Sequence, residues 1–469
     1  MTTRTLLPAI LQAVMKGQPV ALGDRHYPRW HLAPVTGLMN DPNGFIHFQG
    51  RYHLFYQWNA LGCQHQHKCW GHWSSADLTH WRHEPLALLP DEEYDRSGCY
   101  SGSAVDDAGT LTLCYTGNVK FDDGTRTAWQ CLAVQNADGG FDKLGPVMPL
   151  PGGYTGHVRD PKVWRHAEHW YMVLGAQDLE HQGKVLLLRS DNLWNWENLG
   201  EIAGSTLGGL GDAGYMWECP DLFMLDGKAI LLCCPQGVAR EEKRFLNTYP
   251  SAYLCGELDY AKPEYRHGPL VELDAGFEFY APQTTQADDG RRLLIGWMGV
   301  PDGEEMLQPT VAQGWIHQMT CPRELSLRDG LLCQQPAREL AALRGDEQRA
   351  GGVASTLPPM AAKSLELMLE AQGDVTLDFA GTLRLEWTRD GLRLSRRSLK
   401  NGEWLYRYWQ GEVKRLHILC DRSSVEIFIN DGEGVMSSRY FPAASAMLGF
   451  EGDSQLRLRY WSLRPCMVE

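Results

Sequence analysis

Three acidic residues of this chain lie in short motifs that resemble one another. Asp41 lies in MNDP, Asp160 in VRDP and Glu218 in WECP. Carboxyl groups that lie close together repel, so that one stays ionised while another holds its proton. Such a pair can give a proton to a leaving oxygen and a carboxylate to an anomeric carbon, which is the chemistry of glycosidic bond cleavage. A turn cap would explain one such motif, but it does not explain three.

The spacing of similar segments indicates what could bring these acids together. Five segments share a polar or proline-bearing entry, an apolar strand, a turn and a second apolar strand, and they begin about 60 residues apart. They start at Asn43, Ser103, Pro161, Pro220 and Pro282. Period-two patterning and DG or QG turns predict a hairpin in each, and five such units predict a five-bladed β-propeller. The inner strands of a propeller line one channel, so the acids are expected at equivalent positions around it.

The remaining sequence predicts an all-β protein with a second domain. After Trp297 the blades are expected to end, followed by a closing strand and a short helical linker. Strict alternation with Asp-Gly turns then predicts an antiparallel β-sandwich. The predicted organisation is an N-terminal helical extension over 1–29, the propeller over 30–335, a linker over 336–349 and the sandwich over 350–469.

Composition and charge argue against several classes of partner. The 469 residues carry a formal net charge of −14, which disfavours nucleic acid and an anionic membrane surface. Pro8, Gln12 and Lys16 interrupt the N-terminal apolar run, so an amphipathic helix is expected there and not a signal peptide. The 13 cysteines are odd in number and scattered, which favours a cytoplasmic protein over a disulfide framework. We expect no cofactor.

The segment CQHQHKCWGH raises the alternative of a zinc site. Its possible ligands are Cys63, His65, His67, Cys69 and His72. The spacing C-x-H-x-H-x-C is unusual for a zinc finger, and residues two apart share a strand face only in alternate pairs. We therefore expect no metal and interpret the segment as a strand and loop of the first blade.

Taken in order, the motifs resemble glycoside hydrolase family 32, the invertase family. The similarity runs from HLAPVTGLMNDPNG through YHLFYQW, CYSGSAV, VRDPKVW, WECPDLF, FYAPQ and IGWMG to SSVEIFINDGEGVMSSR. The resemblance implies Asp41 as nucleophile, Glu218 as general acid/base, and Asp160 as the acid that holds fructosyl hydroxyls and stabilises the transition state. Arg159 is expected to keep Asp160 charged. The positions that match contacts to the fructosyl unit are Asn40, Gln57, Tyr100, Ser101, Arg159 and Trp297.

Within the family, the resemblance is to bacterial members that act on sucrose 6-phosphate. It implies a retaining β-fructofuranosidase that hydrolyses this sugar, and sucrose, by double displacement. The alternatives are an invertase for unphosphorylated sucrose or fructo-oligosaccharides, an inverting arabinosidase-like or xylosidase-like enzyme, and a sugar-binding propeller without activity. The oligomeric state stays open.

A phosphate on the glucose unit is expected at the mouth of the funnel, where an acidic protein needs local cations. His65 and Lys68 lie in a loop of the first blade where many family members carry an aromatic residue, and Arg126 lies in an outer loop of the second. Such side chains can hold phosphate by charge-assisted hydrogen bonds. We therefore predict His65, Lys68 and Arg126 as the phosphate-binding residues, with Arg240 and Arg244 as the next candidates.

Overall fold

The chain begins with a helix and continues almost entirely as antiparallel β-sheets. The computed structural model describes residues 3–442 and 446–466, with their side chains from Leu6 onward. Helix α1 spans Thr3–Gly23. Leu6 and Ile10 are buried in the same cluster as the core of the first sheet, whereas Leu11 and Met15 are exposed. The helix is therefore amphipathic and packs on the sheets by one face.

Five small sheets follow α1 in chain order. The first contains β1 (Gly37–Phe48), β2 (Arg51–Asn59), β3 (Cys69–Ser75) and β4 (Trp81–Leu88). The second contains β5 (Cys99–Asp107), β6 (Thr110–Lys120), β7 (Arg126–Gln135) and β8 (Phe141–Met148). The third contains β9 (Tyr154–His166), β10 (His169–Asp178), β11 (Gly183–Ser190) and β12 (Trp196–Gly204). The fourth contains β13 (Met216–Leu225), β14 (Lys228–Gln236), β15 (Ala252–Asp259), β16 (Glu264–His267) and β17 (Val271–Glu272).

The fifth sheet differs from the sequence prediction. It contains β18 (Tyr280–Gln286) and β19 (Arg292–Trp297), and β20 (Trp315–Ile316) then pairs in parallel with β1 of the first sheet. The outer strands of the fifth sheet are β21 (Arg323–Arg328) and β22 (Leu331–Pro336). The prediction that the blades end after Trp297 is therefore wrong. A long excursion with 3-10 helices at Glu305–Leu307 and Pro309–Gln313 separates the two hairpins of this sheet and breaks the sequence period.

The first strands of the five sheets contact one another in order. β1 contacts β5, β5 contacts β9, β9 contacts β13, β13 contacts β18, and β18 contacts β1 again. Tight turns join first and second strands: Gln49 with Gly50, and Asp226 with Gly227, adopt positive φ at both central positions. That conformation is the type I′ turn, whose twist suits a two-residue hairpin, and glycine accommodates it without strain.

Two six-stranded sheets form the C-terminal part of the described chain. One has the order β23 (Gln348–Val353), β34 (Gln455–Ser462), β25 (Leu365–Ala371), β30 (Leu416–Asp421), β31 (Ser424–Ile429) and β32 (Gly434–Arg439). The other has the order β24 (Met360–Ala361), β33 (Met447–Glu451), β26 (Val375–Phe379), β27 (Leu383–Thr388), β28 (Gly391–Arg397) and β29 (Trp404–Gln410). Further 3-10 helices span Arg338–Leu343 and Ala354–Thr356. Alternate residues of both sheets share one hydrophobic core, so the sheets pack face to face.

A buried network of charged residues joins the five sheets to this C-terminal part. His31 Nδ1 lies 2.9 Å from Asp421 and its Nε2 lies 2.8 Å from Glu426. The Arg323 guanidinium of β21 also donates to Glu426, at 2.7 Å, and the side chains of all four residues are fully buried. Burial would lower the pKa of His31, but the two carboxylates raise it. The segment before β1, sheet five and β31 are thus held in one arrangement.

Candidate active site

An irregularity of the same kind places side chains at the site from each first strand. The pairing register shifts next to Asp41 in β1, Ser101 in β5, Asp160 in β9, Cys219 in β13 and Ala281 in β18. A β-bulge adds an unpaired residue and re-aims its side chain, and bulges are common beside active sites. The three acids were expected at equivalent positions of their strands, and Glu218 departs from this expectation. Asp41 and Asp160 lie at the bulge of their strands, whereas Glu218 precedes the bulged Cys219 and so comes one residue earlier in its motif.

Asp41 is held by two neighbouring side chains. Ser101 Oγ donates to Asp41 Oδ2 at 2.6 Å, and Asn40 Nδ2 donates to Asp41 Oδ1 at 3.0 Å. Both contacts satisfy lone pairs of an ionised carboxylate and fix the direction of the carboxyl group. Two of the predicted fructosyl-binding residues, Asn40 and Ser101, therefore contact the predicted nucleophile directly.

Glu218 is surrounded by donors. Arg159 donates to Glu218 Oε1 from Nε at 3.0 Å and from Nη2 at 2.6 Å. Gln236 Nε2 and the Tyr280 hydroxyl each donate to Oε2 at 2.6 Å. Burial would raise the pKa of Glu218, but the charge of Arg159 and the hydrogen bonds from Tyr280 and Arg159 lower it. Glu218 is therefore ionised in the free protein at neutral pH.

The pKa of Asp160 shifts in the opposite direction. Its Oδ2 accepts the backbone N–H of Cys219 at 2.9 Å, while Arg159 Nε lies 3.9 Å away. Burial raises the pKa of Asp160, and the charges of Glu218 and Asp41 raise it further against the opposing effect of Arg159. Arg159 thus lowers the pKa of Asp160 as expected but does not offset burial, because its guanidinium hydrogen bonds to Glu218 instead.

The thiol of Cys219 shows that the three acids converge. Cys219 Sγ lies 3.7 Å from Asp41 Oδ2 and 3.6 Å from Asp160 Oδ2. The Arg159 guanidinium then connects Asp160, at 3.9 Å, to Glu218, at 2.6 Å. Burial and the nearby carboxylates raise the pKa of this thiol, so it stays protonated and donates weakly to both acids. Carboxyl groups from β1, β9 and β13 thus share one small volume, although they lie far apart in the sequence.

A buried ion pair fixes the inner strands just beyond the acids. Lys162, two residues after Asp160, donates from Nζ to the carbonyl of Thr284 in β18 at 2.6 Å and lies 3.0 Å from Asp221 Oδ2 in β13. The Thr284 N–H donates to the same carboxylate oxygen at 2.6 Å. These bonds tie β9, β13 and β18 together and so hold Asp160 and Glu218 at a fixed separation.

The other predicted fructosyl contacts lie around this group. Gln57 Nε2 donates to the carbonyl of Cys99 at 2.7 Å, next to Tyr100. The Trp297 ring packs edge-on against Tyr280 with centroids 6.2 Å apart, and its indole N–H is buried without a hydrogen-bond partner among the described residues. Since a buried indole N–H normally has a partner, this donor is available to a polar group of a ligand. Trp297 thus packs against Tyr280, which donates to Glu218, whereas Gln57 bonds to the strand that carries Ser101.

Lys68 and His65 lie in the loop between β2 and β3, as the sequence predicted, but the side chain of Lys68 is buried and not solvated. Lys68 is 8% exposed, and its Nζ donates to Asn40 Oδ1 and lies 2.9 Å from His65 Nδ1. His65 Nε2 in turn lies 2.8 Å from Glu305 Oε1. Both side chains are therefore linked to Asn40 by one hydrogen-bond network, in which the His65 side chain stays 33% exposed.

Arg126 has a different environment. Its Nη2 donates to Asn118 Oδ1 at 2.5 Å, its Nη1 lies 3.3 Å from His157 Nδ1, and its guanidinium lies 5.6 Å from the Tyr100 ring centroid. No carboxylate of the described residues forms an ion pair with it, and its Nε is buried without a partner. Burial lowers the pKa of Arg126, and the neighbouring Arg159 lowers it further. Burying a charged group without an opposite charge costs free energy, and an anion beside this guanidinium would offset that cost.

Sequence reasoning missed several residues that hold the acids. Gln236 and His157 lie in no recognisable motif, and Cys219 lies in WECP without a sequence feature that indicates its contacts. His157 accepts a hydrogen bond from Arg159 Nη1 at 2.9 Å. Burial and the two arginines lower the pKa of His157 to about 4, so its ring is neutral.

The residues that could have bound zinc have separate surroundings. Cys63 packs with Leu38, and His72 hydrogen bonds to His53 at 3.0 Å.

Two family models match the chain and settle its class. The Glycosyl hydrolases family 32 N-terminal domain matches residues 31–336, and the Glycosyl hydrolases family 32 C terminal model matches residues 370–461. The chain therefore belongs to glycosyl hydrolase family 32, as its motifs predicted, and is a glycoside hydrolase.

Individual relatives resemble it over its full length. The sucrose-6-phosphate hydrolase of Salmonella typhimurium is 66% identical over 471 residues, covering 100% of both chains. That of Bacillus subtilis is 44% identical, covering 96% of this chain and 97% of its own. Among solved structures, the sucrose-6-phosphate hydrolase from Lactobacillus gasseri has a TM-score of 0.90 at 31% identity, covering 97% of both chains. A beta-fructofuranosidase mutant of Bombyx mori in complex with sucrose has a TM-score of 0.88 at 32% identity, covering 99% of both.

Proposed function

We propose that this glycoside hydrolase cleaves sucrose 6-phosphate, and more slowly sucrose, into fructose and glucose 6-phosphate or glucose, with retention of configuration. The observation that carries the proposal is the contact of one thiol, Cys219, with both Asp41 and Asp160, directly beside Glu218. The similarity to sucrose-6-phosphate hydrolases over the full length supports the substrate. We also propose that the five sheets are the blades of a propeller and that the two six-stranded sheets form a sandwich, because the first strands contact one another in a ring.

The proposed reaction has two displacement steps. Asp41 attacks C2 of the fructosyl unit with an oxygen lone pair, and the bond from C2 to the bridging oxygen breaks as Glu218 gives that oxygen a proton. Glucose 6-phosphate leaves, and the fructosyl unit stays bound to Asp41. Glu218 then removes a proton from water, and the water oxygen attacks C2 and releases fructose and the Asp41 carboxylate. Two inversions at C2 give net retention.

The proton on Glu218 must arrive when the substrate binds. In the free protein Arg159 keeps Glu218 ionised, while Asp160 holds a proton more readily than an ordinary aspartate. Fructosyl hydroxyls that donate to Asp160 favour its ionised form, and a substrate oxygen that accepts from Arg159 draws the guanidinium away from Glu218. Burial then raises the pKa of Glu218 and favours its protonated form. Substrate binding would thus move the site's proton from Asp160 to Glu218.

We propose that Arg126 binds the phosphate, together with His157. The leaving group of the reaction lies beside Glu218, and Arg159 connects Glu218 to His157 and so to Arg126. Because His157 Nδ1 accepts from both arginines, its Nε2 carries the hydrogen and is a second donor for an anion. We do not retain His65 and Lys68 in this role, because their hydrogen bonds lead to Asn40 beside the proposed nucleophile and not to the residues around Glu218.

The function is tested by comparing kcat/KM for sucrose 6-phosphate and for sucrose at the same pH and ionic strength. The proposal requires a higher value for the phosphorylated sugar. Equal values, or a higher value for sucrose, would instead favour an invertase for unphosphorylated sugars. Release of pentoses from arabinosides or xylosides, with no activity on either sucrose, would favour the arabinosidase-like or xylosidase-like alternative.

We propose a cytoplasmic location, which suits a phosphorylated substrate and the thirteen free thiols of the structure. None of the helices in the described residues combines the length and the apolar composition needed to cross a bilayer.

A further inference from the structure

A chain of hydrogen bonds that does not include Glu218 leads to Asp41. It starts at Glu305, at the beginning of the 3-10 helix Glu305–Leu307, and passes to His65 Nε2 at 2.8 Å. His65 Nδ1 then lies 2.9 Å from Lys68 Nζ, and Lys68 donates to Asn40 Oδ1. Asn40 Nδ2 completes the chain by donating to Asp41 Oδ1 at 3.0 Å.

The chemistry of the groups fixes the direction of every bond in this chain. Lysine has donors only, so the Asn40 atom that faces Lys68 must be the carbonyl oxygen, and the amide NH₂ must face Asp41. Burial would raise the pKa of Glu305, but its bonds to His317 and His65 lower it to about 2. Glu305 is therefore an acceptor, His65 donates to it from Nε2, and the Nδ1 lone pair accepts from Lys68.

Lys68 is held in place independently of its ammonium group. Its backbone carbonyl accepts the N–H of Cys99, the first residue of β5 and two residues before Ser101, at 2.9 Å. The backbone of Lys68 is therefore anchored to β5, the strand whose Ser101 hydroxyl donates to the other oxygen of Asp41. Both oxygens of Asp41 are thus oriented by residues that Lys68 contacts or adjoins.

We propose that Lys68 is a positioning residue for hydrolysis, which orients the Asn40 amide toward Asp41 and stabilises the ionised carboxylate by its charge, with His65 and Glu305 orienting Lys68 in turn. This inference rests on the proposed role of Asp41 as nucleophile. Lys68 acts through Asn40 and does not touch the sugar. It therefore affects phosphorylated and unphosphorylated sucrose equally, unlike Arg126.

The charge of Lys68 also connects the nucleophile to pH. Among the described residues, the titratable groups that act on its ammonium include Asp41, Glu305, His65, Cys69 and Lys120. Burial lowers the pKa of Lys68 to about 8, against the opposing charges of Asp41 and Glu305. Above that pH the ammonium loses its proton and the positive charge beside Asp41 disappears. The kcat/KM profile, which reports on the free enzyme, should therefore fall once as the proton shared by Asp160 and Glu218 is lost, and again along an alkaline limb at higher pH as Lys68 titrates.

The test uses Lys68→Met and Lys68→Arg, with Lys228→Met as a matched control on β14, where the lysine is exposed and paired with Glu257. All rates are normalised to folded protein by near-ultraviolet circular dichroism. Lys68→Met should lower kcat by roughly 10- to 100-fold, the cost expected for one charge-assisted hydrogen bond, by the same factor for both substrates. Lys68→Arg should retain more activity and move the alkaline limb to higher pH. Lys228→Met should match the wild type.

A third variant keeps the proposal testable if an arginine does not fit at this buried position. Glu305→Gln removes a negative charge that raises the pKa of Lys68, so the alkaline limb should move to lower pH. Lys68→Met with kcat within twofold of the wild type would overturn the proposal, as would alkaline limbs that do not move in Lys68→Arg or Glu305→Gln. An Asp41→Asn variant separates the two hypotheses: if it keeps activity, the proposed function itself fails, and if it is inactive while Lys68→Met is normal, only the role of Lys68 fails.

Discussion

Arg126→Gln offers a direct test of how the enzyme recognises a phosphorylated sugar. The guanidinium has no carboxylate partner among the described residues, so its charge is available to a ligand. A hydrogen bond to a charged group contributes about 1.5–3 kcal/mol, and about 1.4 kcal/mol corresponds to a factor of ten. Glutamine can still donate to Asn118 but carries no charge. We therefore expect kcat/KM for sucrose 6-phosphate to fall by roughly 10- to 100-fold while that for sucrose changes little.

The assay measures fructose release from both substrates with the wild type, Arg126→Gln and a control, Arg96→Gln. Arg96 lies on the same part of the chain but is exposed and paired with Glu93 at 3.1 Å, so its loss should affect neither substrate. If Arg126→Gln loses activity on both sugars in equal proportion, or on neither, the phosphate does not bind at Arg126. The loop around Arg240 and Arg244 is then the next place to examine.

Three further predictions concern the acids and the junction between the sheets. Asp41→Asn and Glu218→Gln should each lower kcat by several orders of magnitude with unchanged circular dichroism, and near-normal turnover would remove that residue from the mechanism. Because the folded pKa of His31 lies above its ordinary 6.5, its contribution to stability is complete below that pH and is lost as the pH rises through the folded value. The Tm of the wild type should therefore fall more steeply over that range than the Tm of His31→Asn, and parallel curves would contradict this. Arg323→Met removes the cation that pairs with buried Asp274 and one of the two ion-pair partners of Glu426, and it should lower the free energy of unfolding by about 3–5 kcal/mol in urea titrations. A loss below about 1 kcal/mol would show that the network does not hold the parts together.

The family and the β-rich fold could be predicted from the sequence because they depend on local patterns. Hairpins such as the one around Gln49 and Gly50 need a turn that only a few residue types form, and their even spacing gives five similar sheets. The outer strands of the fifth sheet could not be predicted, because residues 298–322 interrupt the even spacing of the hairpins. β21 pairs with β19 across this excursion, and no local pattern encodes such a pairing.

That the three acids lie close together could also be predicted, but not which groups hold them. Because Arg159 and Asp160 are adjacent in the sequence, their side chains were expected to pair. The bulge in β9 instead directs the guanidinium to Glu218, 59 residues away. Likewise, the charge of Lys68 in a loop indicated an exposed side chain, while the structure buries it behind Asn40. Both errors have the same origin, since the direction of a side chain at a bulge or loop is set by tertiary packing and not by the local sequence.

The most direct test of the central claim is the configuration of the product formed from sucrose 6-phosphate in water containing methanol. Methanol competes with water for the fructosyl enzyme and traps the sugar as a methyl fructofuranoside, which does not interconvert between anomers as free fructose does. The proposed double displacement through Asp41, with its carboxyl group roughly 5–5.5 Å from that of Glu218, predicts the methyl β-fructofuranoside in the NMR spectrum. Methyl α-fructofuranoside as the product would contradict a covalent intermediate on Asp41 and would show that the two acids act by a single inverting displacement.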